Sequence, residues 1–444
     1  MMMKKTAICL LAVLLVCMAL LSGCQKNENV AAGGGSKELL KFWYPFGGDS
    51  EKWELWVIDE FMKDNPGYTV ESTYVPEAAG IRNGKLMAAI NSGDVPDLIE
   101  SDALAETYGL AAQGGFEPLD DVFKEVGINM DNINPAVIPL MKYNGVTYIF
   151  PHNTDTILLF YRTDLFEEAG LDPANPPKTI AELDEYARRL TVSSGQDVTR
   201  YGFIPWLDAG ADAPTWYRQF GASVYNDSTD TLTLANPAVA RVFEWQRSYA
   251  QQHDPERMRA FTSSLGAAFS PDHAFMQGKV AMTVIGNWFC NALRIYAPDT
   301  KFNVAPIPAI DAAHYGGCSL TGNNYASPKG AKNVKAAVVF ADYTEQSKIL
   351  EDNNAQWRSL GVYKGAFEGL SLYENKDPYL MVCIDVTFNQ NSGQWVLSPI
   401  TNMLNDRLTA FRDEAIYTNN DIMGGLRSVE TALQTELNRT LQRQ

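Results

Sequence analysis

The stretch LLKFWYPFGGDSEKWELWVIDEFMKDNPGYTVESTYV (residues 39–75) decides the fold class. Leu39 to Tyr44 reads as a buried strand, and Pro45-Phe46-Gly47-Gly48 turns the chain. Asp49 or Ser50 can cap the helix that follows. Trp53, Trp56, Val57 and Phe61 then fall at helical spacing on one apolar face, which marks them as core. Asn65-Pro66-Gly67 stops that helix, and Tyr68 to Val75 alternates as a strand does. Further on, about Asn83 to Asn91 is helical, and Pro96 precedes a short strand, Asp97 to Ser101. Strand, helix, strand, helix, strand predicts an α/β architecture with a mostly parallel sheet.

The same reading extends to the end of the chain. Tyr143-Asn144-Gly145-Val146 is a hairpin signal, and a strand-like Thr147 to Phe150 leads into Pro151. A new apolar run, Thr156 to Tyr161, follows, so a first crossing between lobes is expected near Pro151 to Asp155. Thr179-Ile180-Ala181-Glu182 is a capping box, with Ile180, Leu183, Ala187 and Leu190 as the buried face behind it. Gly278 to Ile285 and Phe302 to Ile307 read as buried strands. Gly316-Gly317 is expected at a second crossing. Asn333 caps a helix with Val334, Ala337, Val338 and Ala341 inward, and the chain is mostly helical from about Asp406.

The bulk numbers agree with an ordinary globular body. A length of 444 residues exceeds what one hydrophobic core serves, so two lobes are expected. The formal charge of −17 offers no basic patch for nucleic acid. Of the six cysteines, only Cys290, Cys318 and Cys383 lie in the body, too few and too scattered for a disulfide framework. His152, His253, His273 and His314 are too dispersed for a metal site. No metal or cofactor is expected. Lys4 and Lys5 before the apolar run Ala7 to Leu21 form a secretory signal, shorter than a spanning helix. Leu21-Ser22-Gly23-Cys24 resembles the bacterial lipobox, which implies cleavage before Cys24 and lipidation of its thiol. Residues 24–37, with Gly33-Gly34-Gly35-Ser36, read as a flexible tether.

The order of several motifs resembles the extracellular solute-binding proteins that feed sugar importers, a family including maltose- and glycerol-phosphate-binding proteins. Leu159-Phe160-Tyr161-Arg162-Thr163-Asp164-Leu165-Phe166-Glu167-Glu168-Ala169-Gly170-Leu171 carries the resemblance furthest. Asn91-Ser92-Gly93-Asp94-Val95-Pro96-Asp97-Leu98 supports it, and so does Phe275-Met276-Gln277-Gly278-Lys279-Val280-Ala281-Met282 followed by Gly286-Asn287-Trp288. Tyr325-Ala326-Ser327-Pro328-Lys329 completes the order. The resemblance implies a type II periplasmic-binding-protein-like fold: two discontinuous lobes, a hinge and a ligand cleft between them. Residues 38–152 plus 319–368 would form one lobe, and 153–318 plus 369–444 the other. It also implies a carbohydrate ligand, delivery to an ABC import permease, and a monomer anchored by Cys24 on the extracytoplasmic face of the cell membrane.

A sugar has apolar C–H faces and a rim of hydroxyls, so its site needs aromatic platforms and fixed polar groups. Tyr44, at the end of the first strand, is expected in the cleft, and Asp102, just past a strand end, as a hydroxyl acceptor. Asp155 lies at the first crossing. The resemblance points to Trp206 and Trp288 as cleft aromatics. Gly317, Asn323 and Asn324 belong near the second crossing, where glycine would let the backbone approach a ligand. Trp357 and Arg358 precede a segment that resembles the cleft lining, and Arg358 could fork to hydroxyls, a carboxylate or a phosphate. Trp395 sits in a Ser/Gly/Asn-rich loop. Asp121 to Ile128 looks like a segment of the glycerol-phosphate-binding branch, which makes a glycerol phosphoester the alternative ligand. A surface lipoprotein without transport and a glycan-cleaving enzyme are the readings from other classes. No Gly-x-Ser-x-Gly or His-Glu-x-x-His motif supports an enzyme.

Overall fold

The computed structural model describes residues 37–442, apart from 78, 81–83, 103, 196, 209–212 and 394–396. The signal, Cys24, the tether up to residue 36 and Trp395 therefore lie outside the described residues.

Ten strands build two five-stranded sheets. In chain order they are β1 (Glu38–Tyr44), β2 (Tyr68–Tyr74), β3 (Leu98–Ser101), β4 (Ile149–Pro151), β5 (Ile157–Arg162), β6 (Val192–Ser194), β7 (Asp197–Phe203), β8 (Val280–Gly286), β9 (Phe302–Ala305) and β10 (Asn324–Ala326). The first sheet runs β2-β1-β3-β10-β4 and the second β9-β5-β8-β7-β6. In the first, β1 pairs in parallel with β2 and β3, while β10 runs antiparallel between β3 and β4. In the second, β8 is parallel to β7 but antiparallel to β5, and β5 is antiparallel to β9. The expected parallel sheet is thus interrupted by one strand of opposite sense, β10, in the first lobe and by two, β5 and the edge strand β6, in the second.

Each sheet has its own core. Leu40, Phe42, Phe61, Tyr325 and Phe340 pack together beside the first sheet, and Phe160, Phe203, Trp216, Phe243 and Phe289 beside the second. Each such side chain, fully buried, stabilises the fold by roughly 1.5–3 kcal/mol. Every residue of β8 is buried, which matches its unbroken apolar sequence. Local chemistry fixes the boundaries. Thr179 and Glu182 close the predicted capping box on the helix Ile180–Leu190. Asn144 and Gly145, both at positive φ, turn the predicted hairpin between residues 142 and 147. The helix Asp49–Asp64 begins after Gly48 rather than after Asp49 or Ser50. Asn333 sits at its predicted cap, but its side chain accepts no bond from its own helix, and its amide donates to the Leu39 carbonyl instead.

The chain passes between the sheets at residues 152–156, as expected, and returns at Thr321–Asn323. Here Asp155 and Thr321 exchange backbone hydrogen bonds of 2.8 and 3.0 Å, and Thr154 does the same with Leu360 at 2.7 and 3.1 Å. The return therefore lies a few residues beyond Gly316-Gly317, where it was expected. Those glycines stay in the second lobe, where a Cβ on Gly317 would fall 2.3 Å from the backbone of Asn391. The lobes also meet away from these crossings: the helix Thr401–Tyr417, whose Leu404 and Leu408 belong to the second core, packs on the helix Leu104–Ala112 of the first lobe.

Candidate functional site

A cavity of about 520 Å³ opens against the crossing segments, with walls from both lobes. From the first lobe come Phe46, Trp53, Glu54, Asp102, Asn353 and Trp357. The crossings supply His152, Asn153, Asp155, Thr321, Asn323 and Ser359, and Phe269 and Trp288 close the second-lobe side. A second cavity, of about 580 Å³, touches Tyr217, Arg218, Tyr225, His314 and Asn391 and shares no lining residue with the first. The first is the candidate site, although it is slightly smaller. Among the described residues it joins aromatic planes, carboxylates and the crossing segments, which is the combination a polar ligand with apolar faces requires.

The aromatic groups come from segment ends. Trp288 follows β8 and stands at the N-terminal boundary of the helix Phe289–Tyr296. Its ring stacks on Phe269 with centroids 5.5 Å apart and planes 16° from parallel. Gly286 lets that ring lie close, because a Cβ there would meet the indole at 2.1 Å. On the facing side Trp53 stacks on His152 at 5.4 Å, His152 stacks on Tyr325 at 4.9 Å, and Trp357 meets Trp53 edge-on at 5.3 Å.

The polar wall is acidic. Glu54, Asp102 and Asp155 line the cavity, with no lysine or arginine among its described lining residues. Asp155 is buried and accepts from Ser359 and from Asn287 Nδ2 at 3.1 Å. Burial raises its carboxyl above the usual range, while those two bonds pull it back. Asn287 also donates to the Trp357 carbonyl at 2.8 Å and accepts from Thr156 N at 2.7 Å, so one amide ties β8 to the crossing. Behind the wall, Glu100 accepts or shares a proton with His152 Nδ1 at 2.9 Å. Burial pushes the Glu100 carboxyl up to about 8 and the His152 imidazole down to about 4. Burial, reinforced by the Glu100 charge, also carries Glu54 well above the ordinary carboxylate range.

Five of the sequence candidates meet in this cavity: Asp102, Asp155, Trp288, Asn323 and Trp357. Five others lie elsewhere. Tyr44 points inward with Phe42, because alternate residues of β1 share a face, and its hydroxyl donates to Glu51 at 2.9 Å. Trp206 is buried against Tyr417, to which its indole donates at 3.1 Å. The Gly317 carbonyl accepts from Gln219 at 2.7 Å, and the missing side chain admits the Asn391 backbone rather than a ligand. Asn324 is a buried residue of β10 that donates to the Ser101 carbonyl at 2.9 Å. Arg358 turns away in a left-handed backbone conformation, pairs with Asp377 at 3.2 Å and lies over the Tyr379 ring. Trp53, Glu54 and His152 were missed as site residues. Trp53 obeys the same helical period as Val57 and Phe61, and that period marks an inward face without telling core from cavity wall.

Comparison with known proteins gives one answer. The family described as bacterial extracellular solute-binding protein matches residues 47–346. The sn-glycerol-3-phosphate-binding periplasmic protein UgpB of Escherichia coli K12 is 27% identical over 353 residues, 74% of this chain and 75% of that protein. The arabinooligosaccharide-binding protein of Bacillus subtilis strain 168 is 23% identical over 368 residues, 81% of this chain and 80% of the other. Among solved structures, CpMnBP1 with mannobiose bound superposes with a TM-score of 0.79 at 28% identity, covering 89% of this chain and 99% of that one. UgpB of Mycobacterium tuberculosis in complex with glycerophosphocholine gives 0.74 at 21%, covering 92% and 100%.

Proposed function

Since the chain belongs to the bacterial extracellular solute-binding proteins, we propose that its cavity captures a short saccharide and hands it to an ABC import permease. The observation that carries this reading is the wall itself: the stacked Trp288–Phe269 pair opposite carboxylates and amides, with no cation among the described lining residues. Aromatic planes suit the C–H faces of a sugar ring, and carboxylates and amides suit its hydroxyls. A relative that binds mannobiose and one that binds arabinooligosaccharides support the class. A glycerol phosphoester, the ligand class of the UgpB relatives, is the second reading. It would place a phosphate against Glu54, Asp102 and Asp155, and Arg358, the expected counter-charge, is committed to Asp377. Lipidation at Cys24 and a tethered position outside the cell membrane belong to the same proposal. So do lobes made of residues 38–152 with 319–368, and 153–318 with 369–444.

A thermal-shift panel of mono- and disaccharides, arabino- and manno-oligosaccharides and glycerol phosphoesters tests it on the chain from residue 25 onward. A ligand at 100 times its Kd stabilises by about 2.7 kcal/mol. A shift with saccharides supports the reading. A shift with phosphoesters alone overturns it in favour of the second.

A further inference from the structure

We infer that the first-lobe end of the cavity is a built recess, formed by Trp53, Glu54, His152 and Asn353, that receives the hydroxyl-bearing terminal ring of the saccharide. The inference rests on the carbohydrate reading above and deepens it. All four side chains line the cavity, and all are more than nine-tenths buried: Trp53 is 7% exposed, Glu54 3%, His152 1% and Asn353 3%. Yet Trp53 Nε1, His152 Nε2 and Asn353 Oδ1 have no hydrogen-bond partner among the described residues. Buried polar atoms are nearly always paired, and each one left alone costs about 1–3 kcal/mol. The three atoms are themselves closed off from solvent, but they belong to side chains of one cavity wall, and together they define the complement of the group that pairs them.

That complement is specific. The Trp53 indole only donates, and the Asn353 oxygen only accepts. An ammonium would leave the indole without an acceptor. A carboxylate or phosphate would leave the amide oxygen without a donor. A pair of hydroxyls does both jobs, since each can donate and accept. The indole is also fixed before the ligand arrives, held between the His152 face and the Trp357 edge. Preorganisation of this kind strengthens binding without new contacts.

The test is isothermal titration calorimetry with mannobiose, or with whichever saccharide in the panel shifts the wild-type melt, and with its mono-deoxy analogues. Trp53→Phe removes the N–H but keeps a ring against His152, and Asn353→Leu removes the acceptor in similar volume. Each variant is expected to weaken the parent sugar about tenfold, the loss of one buried hydrogen bond. For one deoxy analogue the Trp53→Phe penalty should vanish, because the partner hydroxyl is already gone, and a merely structural role would not reproduce that coupling. Saccharide binding that is unchanged in both folded variants overturns the recess and leaves the carbohydrate reading intact. Tighter binding of a terminal amino sugar than of its parent also overturns it, in favour of a charge-selecting wall. A wild type that binds no saccharide in the panel sinks both.

Discussion

Arg358 and Glu100 show how burial redirects residues whose sequence position is plain. The Arg358 guanidinium bonds Asp377 and the Ala355 carbonyl and leaves the cavity to Trp357 beside it. Arg358→Ala should therefore leave saccharide affinity unchanged and lower stability by about 1 kcal/mol, from lost packing and a partly screened ion pair; calorimetric titration and urea denaturation read the two effects separately. Glu100 makes a prediction in pH. Its folded pKa stands near 8, above the ordinary value of about 4.3, so the folded state binds the extra proton between those values. The stabilisation is complete below the lower value and is lost as pH rises towards 8. His152, depressed to about 4, works in the opposite direction and loses stability as pH falls from about 6.5 towards 4. The melting temperature of the ligand-free protein should fall from pH 6 to pH 8, and Glu100→Gln should flatten that limb; an equally steep limb in the variant would show that other groups govern it. Asp102 and Asp155 were legible from a strand end and a crossing, and Trp288 from the family resemblance; all three line the candidate cavity. Tyr44 lies away from that cavity, because a two-residue period leaves open which of two neighbours turns inward: Trp43 lies beneath the Lys85 ammonium and Tyr44 goes to the core.

At the scale of elements, the strands and helices were readable because their periods, caps and turns agree with one another. The connection between the lobes was less so. Two adjacent glycines look like a flexible passage, yet Gly317 marks a place where two backbones touch inside one lobe, and only the three-dimensional contact with Asn391 reveals it. Gly317→Val must push Asn391 aside and should destabilise by about 1–3 kcal/mol, while Gly67→Ala, with open space at its Cβ position, should not. Thermal melts of the two variants compare them directly. Asn287 is the other element-level determinant. Its amide holds β8, the first crossing and the Trp357–Ser359 segment together. Asn287→Ala leaves several buried groups without partners, so a loss of about 2–3 kcal/mol in urea denaturation is expected.

For the molecule as a whole, two lobes around one cavity imply that binding changes shape. Saccharide added to the protein should reduce the radius of gyration in solution scattering, since hinge closure brings the lobes together around the ligand; an unchanged profile at saturating ligand would mean that the cavity is preformed. The order in which the first sheet is assembled has a consequence of another kind. Its inner strand β10 comes from residues 324–326, after the whole run β5 to β9 of the second sheet, and stands between β3 and β4. Until that late segment is available, β3 and β4 have no neighbour to join them, and the first lobe cannot close its core around Tyr325. Contacts this distant along the chain slow folding. The first lobe of a nascent chain of this topology stays open until about three quarters of the chain has been made, which suits a polypeptide that is threaded through a membrane before it folds.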